Sequence, residues 1–528
     1  MTLPRARDAA VEPADEATSP RWNRPDPLIV AVAVVSAVTY ALHGFDAALT
    51  RDLGLYSYAG QQVADGTPPY LGVLNRAGPL AHVLPGVGAW IARVGGFDDV
   101  LTMRLFFLVL AVASTTMVYV LARDLFASRL AGIVSAATFL GFTGFIHYAA
   151  DGPREKTPLT LFVVCALWAL TRRRWFTAGV FVSLATLCLQ IAFFPAFTAV
   201  VVGALLLARG ERLRALARIV IGGAAPVAVL AVWFWLVGSL RESVEAFLLL
   251  NARYTVPNPP MENLDILWEG SRAVYGWWLW VFVAGLVVLG LRGISAVVPS
   301  VRRNDPSVLV LAALAVGVVT GLLWNLKDFD SWADLFPLLP FAAVGVGSLV
   351  PVLSSFLPAP VVQWSSAAFV VVAVVTAAHW SVTTRSDVLD DQRAAVDAVF
   401  GVLPPEATLT SVEAPQPLVL TGRTNPTRHQ MFRSGLQDYV DDTWPGGLDG
   451  LARELVEQRP TLITLGDSTY EYWREAITPD YVCVGAAPGW SWWARVDEDP
   501  AVLASLRRAA GYSSDDNCAR HAAITSLR

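Results

Sequence analysis

Residues 28–42 read LIVAVAVVSAVTYAL, and residues 43–56 that follow read HGFDAALTRDLGLY. An apolar run that stops at a polar segment carrying Asp46, Arg51 and Asp52 is the pattern of a chain leaving a bilayer. Runs of the same kind recur as far as Ala378. Further spans are expected near residues 100–122, 130–149, 157–171, 175–190, 192–208, 219–238, 273–291, 307–323, 333–350 and 360–379. With the first they predict a polytopic α-helical membrane protein of about eleven transmembrane helices, each near the length a hydrocarbon core requires. Composition agrees, because the 528 residues are 55% hydrophobic and 16% charged, where a soluble chain carries roughly a quarter of charged residues. The net charge of −5 gives no basic surface for nucleic acid.

Leu80 to Val94 is short and interrupted by Pro85, Gly86 and Gly88, which suits a juxtamembrane or re-entrant piece better than a span. With that choice the basic loops fall on one side: Arg123 and Arg129, then Arg172, Arg173 and Arg174, then Arg209, Arg212, Arg214 and Arg218, then Arg292, Arg302 and Arg303. By the positive-inside rule this side is cytoplasmic. Residues 1–26, mixed in charge and rich in Pro, are expected to be a disordered cytoplasmic tail. No small-residue cleavage site follows the first run, so it is expected to be kept as a helix. The opposite face then holds loop 43–99, residues 151–156, loop 239–272, residues 327–334 and everything after Trp380.

The expected domains are a membrane module at 27–380 and an extracytoplasmic α/β domain at 381–528. In the latter, Arg385 to Val402 and Leu448 to Gln458 read as helices, and Ala407 to Val412, Leu418 to Leu420 and Thr461 to Leu465 as strands. Cys165 and Cys188 lie in apolar runs as inert core thiols, whereas Cys483 and Cys518 lie in the tail, where an oxidising compartment would allow a pairing that the sequence leaves open. Abundant Arg with only Lys156 and Lys327 as lysines points to a GC-rich genome and a bacterial plasma membrane.

The first outer loop carries Arg51-Asp52-Leu53-Gly54-Leu55-Tyr56, then Pro68-Pro69-Tyr70, then Asn75-Arg76-Ala77-Gly78-Pro79-Leu80 with His82 beyond. Asp52 opens a short amphipathic helix, where a carboxylate serves either as an N-cap or as a general base. The order acid-x-Gly-x-Tyr, Gly-x-Pro-Pro-Tyr and Pro-Leu after a first transmembrane helix resembles the polyprenyl- (dolichyl-) phosphate-mannose mannosyltransferases. These are C-type glycosyltransferases, a superfamily that includes the lipid A aminoarabinose transferases. The resemblance covers roughly residues 28 to 350, with a departure where relatives often have His-Pro-Pro-Leu and this chain has Ala77-Gly78-Pro79-Leu80.

The resemblance implies that Asp52 is the catalytic base and that a second acidic position falls in Asp151-Gly152-Pro153-Arg154-Glu155-Lys156. It also matches Leu335-Phe336-Pro337-Leu338-Leu339-Pro340 to a helix-opening motif. Its implied chemistry is inverting transfer of a sugar, mannose in the first instance, from a polyprenyl-phosphate donor to a hydroxyl of a glycan or protein acceptor. The expected catalytic residues are Asp52, Asp151 and Glu155. Arg154, Lys156, Lys327 and Arg76 are expected at the donor phosphate, and Tyr56, Tyr70, His82 and Asp334 at substrate. The bland reading of the charges at 151–156 is interfacial anchoring.

No cofactor is expected. No P-loop motif is present, and the six histidines (His43, His82, His147, His379, His429 and His521) show no ligand spacing, so no metal is expected either. His147 and Gln190 read as satisfied interfacial or core residues. Residues 421–430 read as a solvated loop or an acceptor contact, and Trp490, Trp492 and Trp493 as sugar-stacking or packing aromatics. A polytopic transporter or lipid flippase with a soluble C-terminal domain is the alternative, and a non-catalytic scaffold the third. Against transport stand the absence of repeated halves and the sparseness of ionisable residues within the spans.

Overall fold

A computed structural model describes residues 26–512 apart from 209, 256–258, 306, 434 and 467–469. Cys518, His521 and the tail before Asp26 lie outside the described residues. Ten helices lead the chain in order: α1 (Pro27–Ala41), α2 (Arg51–Ala64), α3 (Leu80–Gly95), α4 (Asp99–Phe126), α5 (Arg129–Gly141), α6 (Gly144–Ala150), α7 (Lys156–Thr171), α8 (Trp175–Cys188), α9 (Phe193–Leu207) and α10 (Arg212–Leu236). Among the described residues, seven helices are long and apolar enough to cross a membrane, and α5 with α6, bent by 81°, makes an eighth. The shorter apolar helices α1, α7 and α8 complete the bundle. Val220, Ile221, Val229 and Trp364 remain exposed, as lipid-facing side chains do.

The expected span 130–149 is therefore not one straight helix. Phe142 leaves the helical region with ψ 80°, and α6 sets off in a new direction, carrying His147 toward α1. α3 is a helix with Pro85 inside it that fails the length test for a span, and Trp90, Ile91 and Val94 give it an exposed apolar face.

The basic side is built around Asp26. This residue caps α1 and pairs with Arg123 at 3.0 Å, while Asp124 takes Arg172 at 3.0 Å. At the other end of α4, the buried Arg104 donates to the carbonyls of Phe45 and Ala47, fixing loop 43–99 where it leaves α1.

The C-terminal part forms a four-stranded mixed sheet, β1 (Leu409–Val412), β2 (Leu462–Leu465), β3 (Tyr481–Ala487) and β4 (Trp490–Arg495), in the order β1-β2-β4-β3. β1 and β2 are parallel, and the other pairings are antiparallel. Residues Leu418 to Leu420 are part of a helix, Gln416–Thr421, and not a strand; Pro417 in the first turn favours that start. Trp490, Trp492 and Trp493 are buried in β4 and so pack instead of stacking on sugar.

The sheet shares one apolar core with loop 43–99: Leu53, Tyr58, Tyr70, Val73 and Leu74 join Val412, Leu418 and Trp490. Gln392 joins the two parts through its amide, which accepts from the N–H of Leu49 at 2.8 Å and donates to the carbonyls of Leu49 and Pro488. Residues 421–430 are tied to the loop as well. The Asn425 N–H donates to the Tyr58 hydroxyl, the Leu74 N–H donates to the Arg428 carbonyl, and Gln430 is buried.

Candidate active site

Thr50, not Asp52, caps α2: its hydroxyl accepts from the N–H of Leu53 at 3.3 Å. Asp52 is thereby released from the capping role the sequence allows, yet stays in the first helical turn, where the helix dipole favours a carboxylate. Its side chain is 35% exposed and lies between two guanidiniums, Arg51 at 3.0 Å and Arg154 at 3.2 Å. Burial pushes the Asp52 carboxyl up, but the charges of Arg154 and Arg51 outweigh it and hold the group at about 2.

Arg154 is held on its other side by Glu155 at 3.2 Å and lies over the rings of Tyr148 and Tyr56, at 4.9 and 5.7 Å. This cage leaves the guanidinium fixed in direction and the Asp52 carboxylate open to solvent. A planar fork next to an accessible carboxylate suits an anionic leaving group beside a hydroxyl to be deprotonated.

No family model and no curated protein matches the sequence. Solved structures do match. The structure of ArnT from Cupriavidus metallidurans superposes with a TM-score of 0.57 at 12% identity, over 92% of this chain and 98% of ArnT. The same enzyme bound to undecaprenyl phosphate gives 0.56 at 12% identity, over 89% and 98%. The oligosaccharyltransferase of Archaeoglobus fulgidus in its apo form gives 0.51 at 12%, over 92% and 78%. The chain shares the fold of ArnT and of this oligosaccharyltransferase.

Within this fold the other expected residues separate into distinct groups. Lys156 pairs with Asp334 at 2.7 Å, and both are buried. The second Asp334 oxygen accepts from the N–H groups of Asp330 and Ser331, so this carboxylate braces the 330–334 turn and is not offered to substrate. Arg76 donates to Asn251 at 3.2 Å and Thr255 at 2.6 Å, and Gln190 and Asn251 return donors to the Arg76 carbonyl. Lys327 lies over the Trp324 ring at 5.2 Å.

Tyr70 and His82, expected at substrate, are buried structural residues. The Tyr70 hydroxyl donates to the Ala77 carbonyl at 2.9 Å, and His82 Nε2 contacts Asn75 Oδ1 at 3.1 Å. The Gly78 departure has its own cause, since a Cβ there would collide with the Leu187 carbonyl at the end of α8. Asp151 turns to His43 and His147, at 3.3 and 3.4 Å, and has no contact with Asp52 among those described.

The structure also adds residues that the sequence reading missed. Arg51 bridges Asp52 to Glu413, a fully buried carboxylate at the end of β1, at 3.1 Å. Glu413 has φ +56°, a left-handed backbone that side-chain-bearing residues seldom adopt. It also accepts from the N–H of Phe432. Tyr148 forms part of the Arg154 cage. Only adjacency to Asp52 marks Arg51 in the sequence, and nothing local marks Glu413.

Proposed function

We propose that this protein is a membrane glycosyltransferase that moves a sugar from a polyprenyl-phosphate donor to an acceptor hydroxyl on the outer face of a bacterial plasma membrane. The observation that carries this reading is the Asp52–Arg154 pair: an accessible carboxylate next to a caged guanidinium, at the mouth of a helical bundle. Nucleotide sugars are cytoplasmic, so an outer-face transferase needs its sugar carried across on a lipid. ArnT, which shares the fold, binds undecaprenyl phosphate, and this supports a polyprenyl carrier here.

In the proposed reaction the acceptor oxygen attacks the anomeric carbon and its proton passes to the Asp52 carboxylate. The bond from that carbon to the phosphate oxygen breaks, the oxygen keeps the electron pair, and the anomeric centre inverts. Arg154 takes the phosphate charge as it develops, with the buried Lys156 adding field from behind. While both guanidiniums hold it, Asp52 is a weak base. Donor phosphate drawing Arg154 toward itself raises the Asp52 pKa and so strengthens the base as substrate arrives.

Either a glycan or a protein hydroxyl fits as acceptor, and mannose or a pentose fits as the sugar. The test is transfer of label from polyprenyl-phosphate-mannose and from the corresponding pentose donors, in membranes containing the protein. Transfer from one donor of the panel is the expected result. Absence of transfer from every donor, by protein that is folded and inserted, contradicts the proposal.

A further inference from the structure

His43, at the end of α1, His147 in α6 and Asp151 just beyond it bring three ligand-type atoms within 4.8 Å of one another. We propose that these three side chains bind a divalent transition-metal ion of the zinc class, at a site separate from Asp52. The inference does not depend on the transferase reading.

The contacts around His43 carry the argument. Its Nδ1 faces the Ser381 carbonyl at 3.3 Å, an atom that only accepts. It also faces the Thr384 hydroxyl at 3.3 Å, whose single proton is donated to the Trp380 carbonyl at 2.7 Å. Both neighbours therefore require the proton on Nδ1. On the other side of the ring, Nε2 is directed toward an Asp151 carboxylate oxygen 3.3 Å away. His43 is 1% exposed, and apart from this mutual contact neither Nε2 nor that carboxylate oxygen has a hydrogen-bond partner among the described residues. A ring nitrogen and a carboxylate oxygen that face each other in a buried place, with a second imidazole beside them, are positioned to share a cation. Arg104, the buried guanidinium of α4, donates to Phe45 and Ala47 and not to Asp151.

The second oxygen of Asp151 faces His147 Nδ1 at 3.4 Å. Ligands bound about 2.0–2.1 Å from a tetrahedral zinc lie roughly 3.3 Å from each other, close to the two His–Asp151 separations, which run to different oxygens of the carboxylate. Two imidazoles and a carboxylate are a donor set that zinc and its neighbours favour. The hydrogen bonds at His43 Nδ1 are the outer contacts that fix the ring and tautomer of a metal-binding histidine. Trp380 holds both rings, stacked on His43 at 5.8 Å and edge-on to His147 at 4.5 Å. Such a metal would join α1 to the segment that carries Arg154, three residues beyond Asp151.

The experiment uses the full-length protein in detergent, loaded with Zn2+ and, in parallel, with Co2+. Metal analysis after dialysis is expected to find about one ion per chain in wild type and in Asp52→Asn. His43→Gln and His147→Asn are expected to lose it while eluting at the wild-type position. Bound Co2+ should show the visible bands of a tetrahedral nitrogen–oxygen site, which tests the wild type even where a variant fails to fold. Wild-type protein that retains no ion, or histidine variants that retain as much as wild type, overturns the proposal.

Discussion

Asp52 shares two guanidiniums with other carboxylates, and its basicity therefore depends on what those guanidiniums hold. With Arg154 and Arg51 in place its pKa is held at about 2, so the ionised form persists far into acid. The sign follows directly: removing a cation destabilises the ionised form and raises the pKa, while the burial cost remains. Arg154→Gln should move the acid limb of the rate profile upward, toward or above the usual carboxylate value of about 3.9, and should weaken donor binding. A pH–rate profile of kcat/KM for both proteins checks this, and an acid limb unmoved in the variant contradicts it.

The Lys156–Asp334 pair gives a prediction of another kind, because both partners are buried. Breaking a buried pair from one side leaves an uncompensated charge, at a cost of about 3–5 kcal/mol. Lys156→Met should therefore lower stability by that order, and adding Asp334→Asn should recover much of the loss, since an amide oxygen still accepts from Asp330 and Ser331. Thermal unfolding of the single and double variants measures it, and a double variant no more stable than Lys156→Met argues against the pairing.

At the scale of elements, the end of β1 reaches the α2 carboxylate through Glu413 and Arg51. Glu413 competes with Asp52 for Arg51, so it positions that guanidinium without touching substrate. Glu413→Ala should lower kcat roughly tenfold, a change of about 1.4 kcal/mol in the barrier, with donor KM little changed. Loss of stability alone, with kcat intact in the folded fraction, would show that Glu413 is merely structural.

The elements also show what periodicity and spacing do and do not reveal. The apolar runs of α4 and α10 are legible because a membrane helix shows its length directly in sequence. The break at Phe142 is not, since residues on both sides are equally apolar and the bend follows from packing. The β3–β4 hairpin was missed because β4 is buried along most of its length and so lacks the alternation that marks a half-exposed strand. At the site, Asp52 and the 151–156 cluster are legible as local motifs. Glu413, and the meeting of His43 with His147, are long-range contacts that no local spacing encodes.

Across the whole molecule, the C-terminal sheet and the first outer loop fold as one apolar unit, so the boundary suggested by composition near Trp380 does not separate independent cores. Gln392 is the polar seam of that unit, with its amide satisfied by Leu49 and Pro488. Gln392→Leu removes those bonds and leaves the Leu49 N–H without its partner, a cost of about 1–3 kcal/mol. It should make loop 43–99 and the sheet more open together, read as matched increases in hydrogen exchange in both. Faster exchange confined to the sheet would mean that the two parts are not coupled. This coupling places the loop that carries Asp52 and the sheet in one apolar unit.

The central claim is that Asp52 accepts the proton of the attacking hydroxyl, and the most direct measurement is single-turnover transfer from a labelled polyprenyl-phosphate sugar by wild-type and Asp52→Asn protein, with donor binding measured alongside. General-base catalysis contributes about 10²–10⁴-fold. The account predicts a loss of that size in transfer, with donor still bound, because Arg154 remains to hold the phosphate. Transfer by Asp52→Asn at the wild-type rate would contradict it.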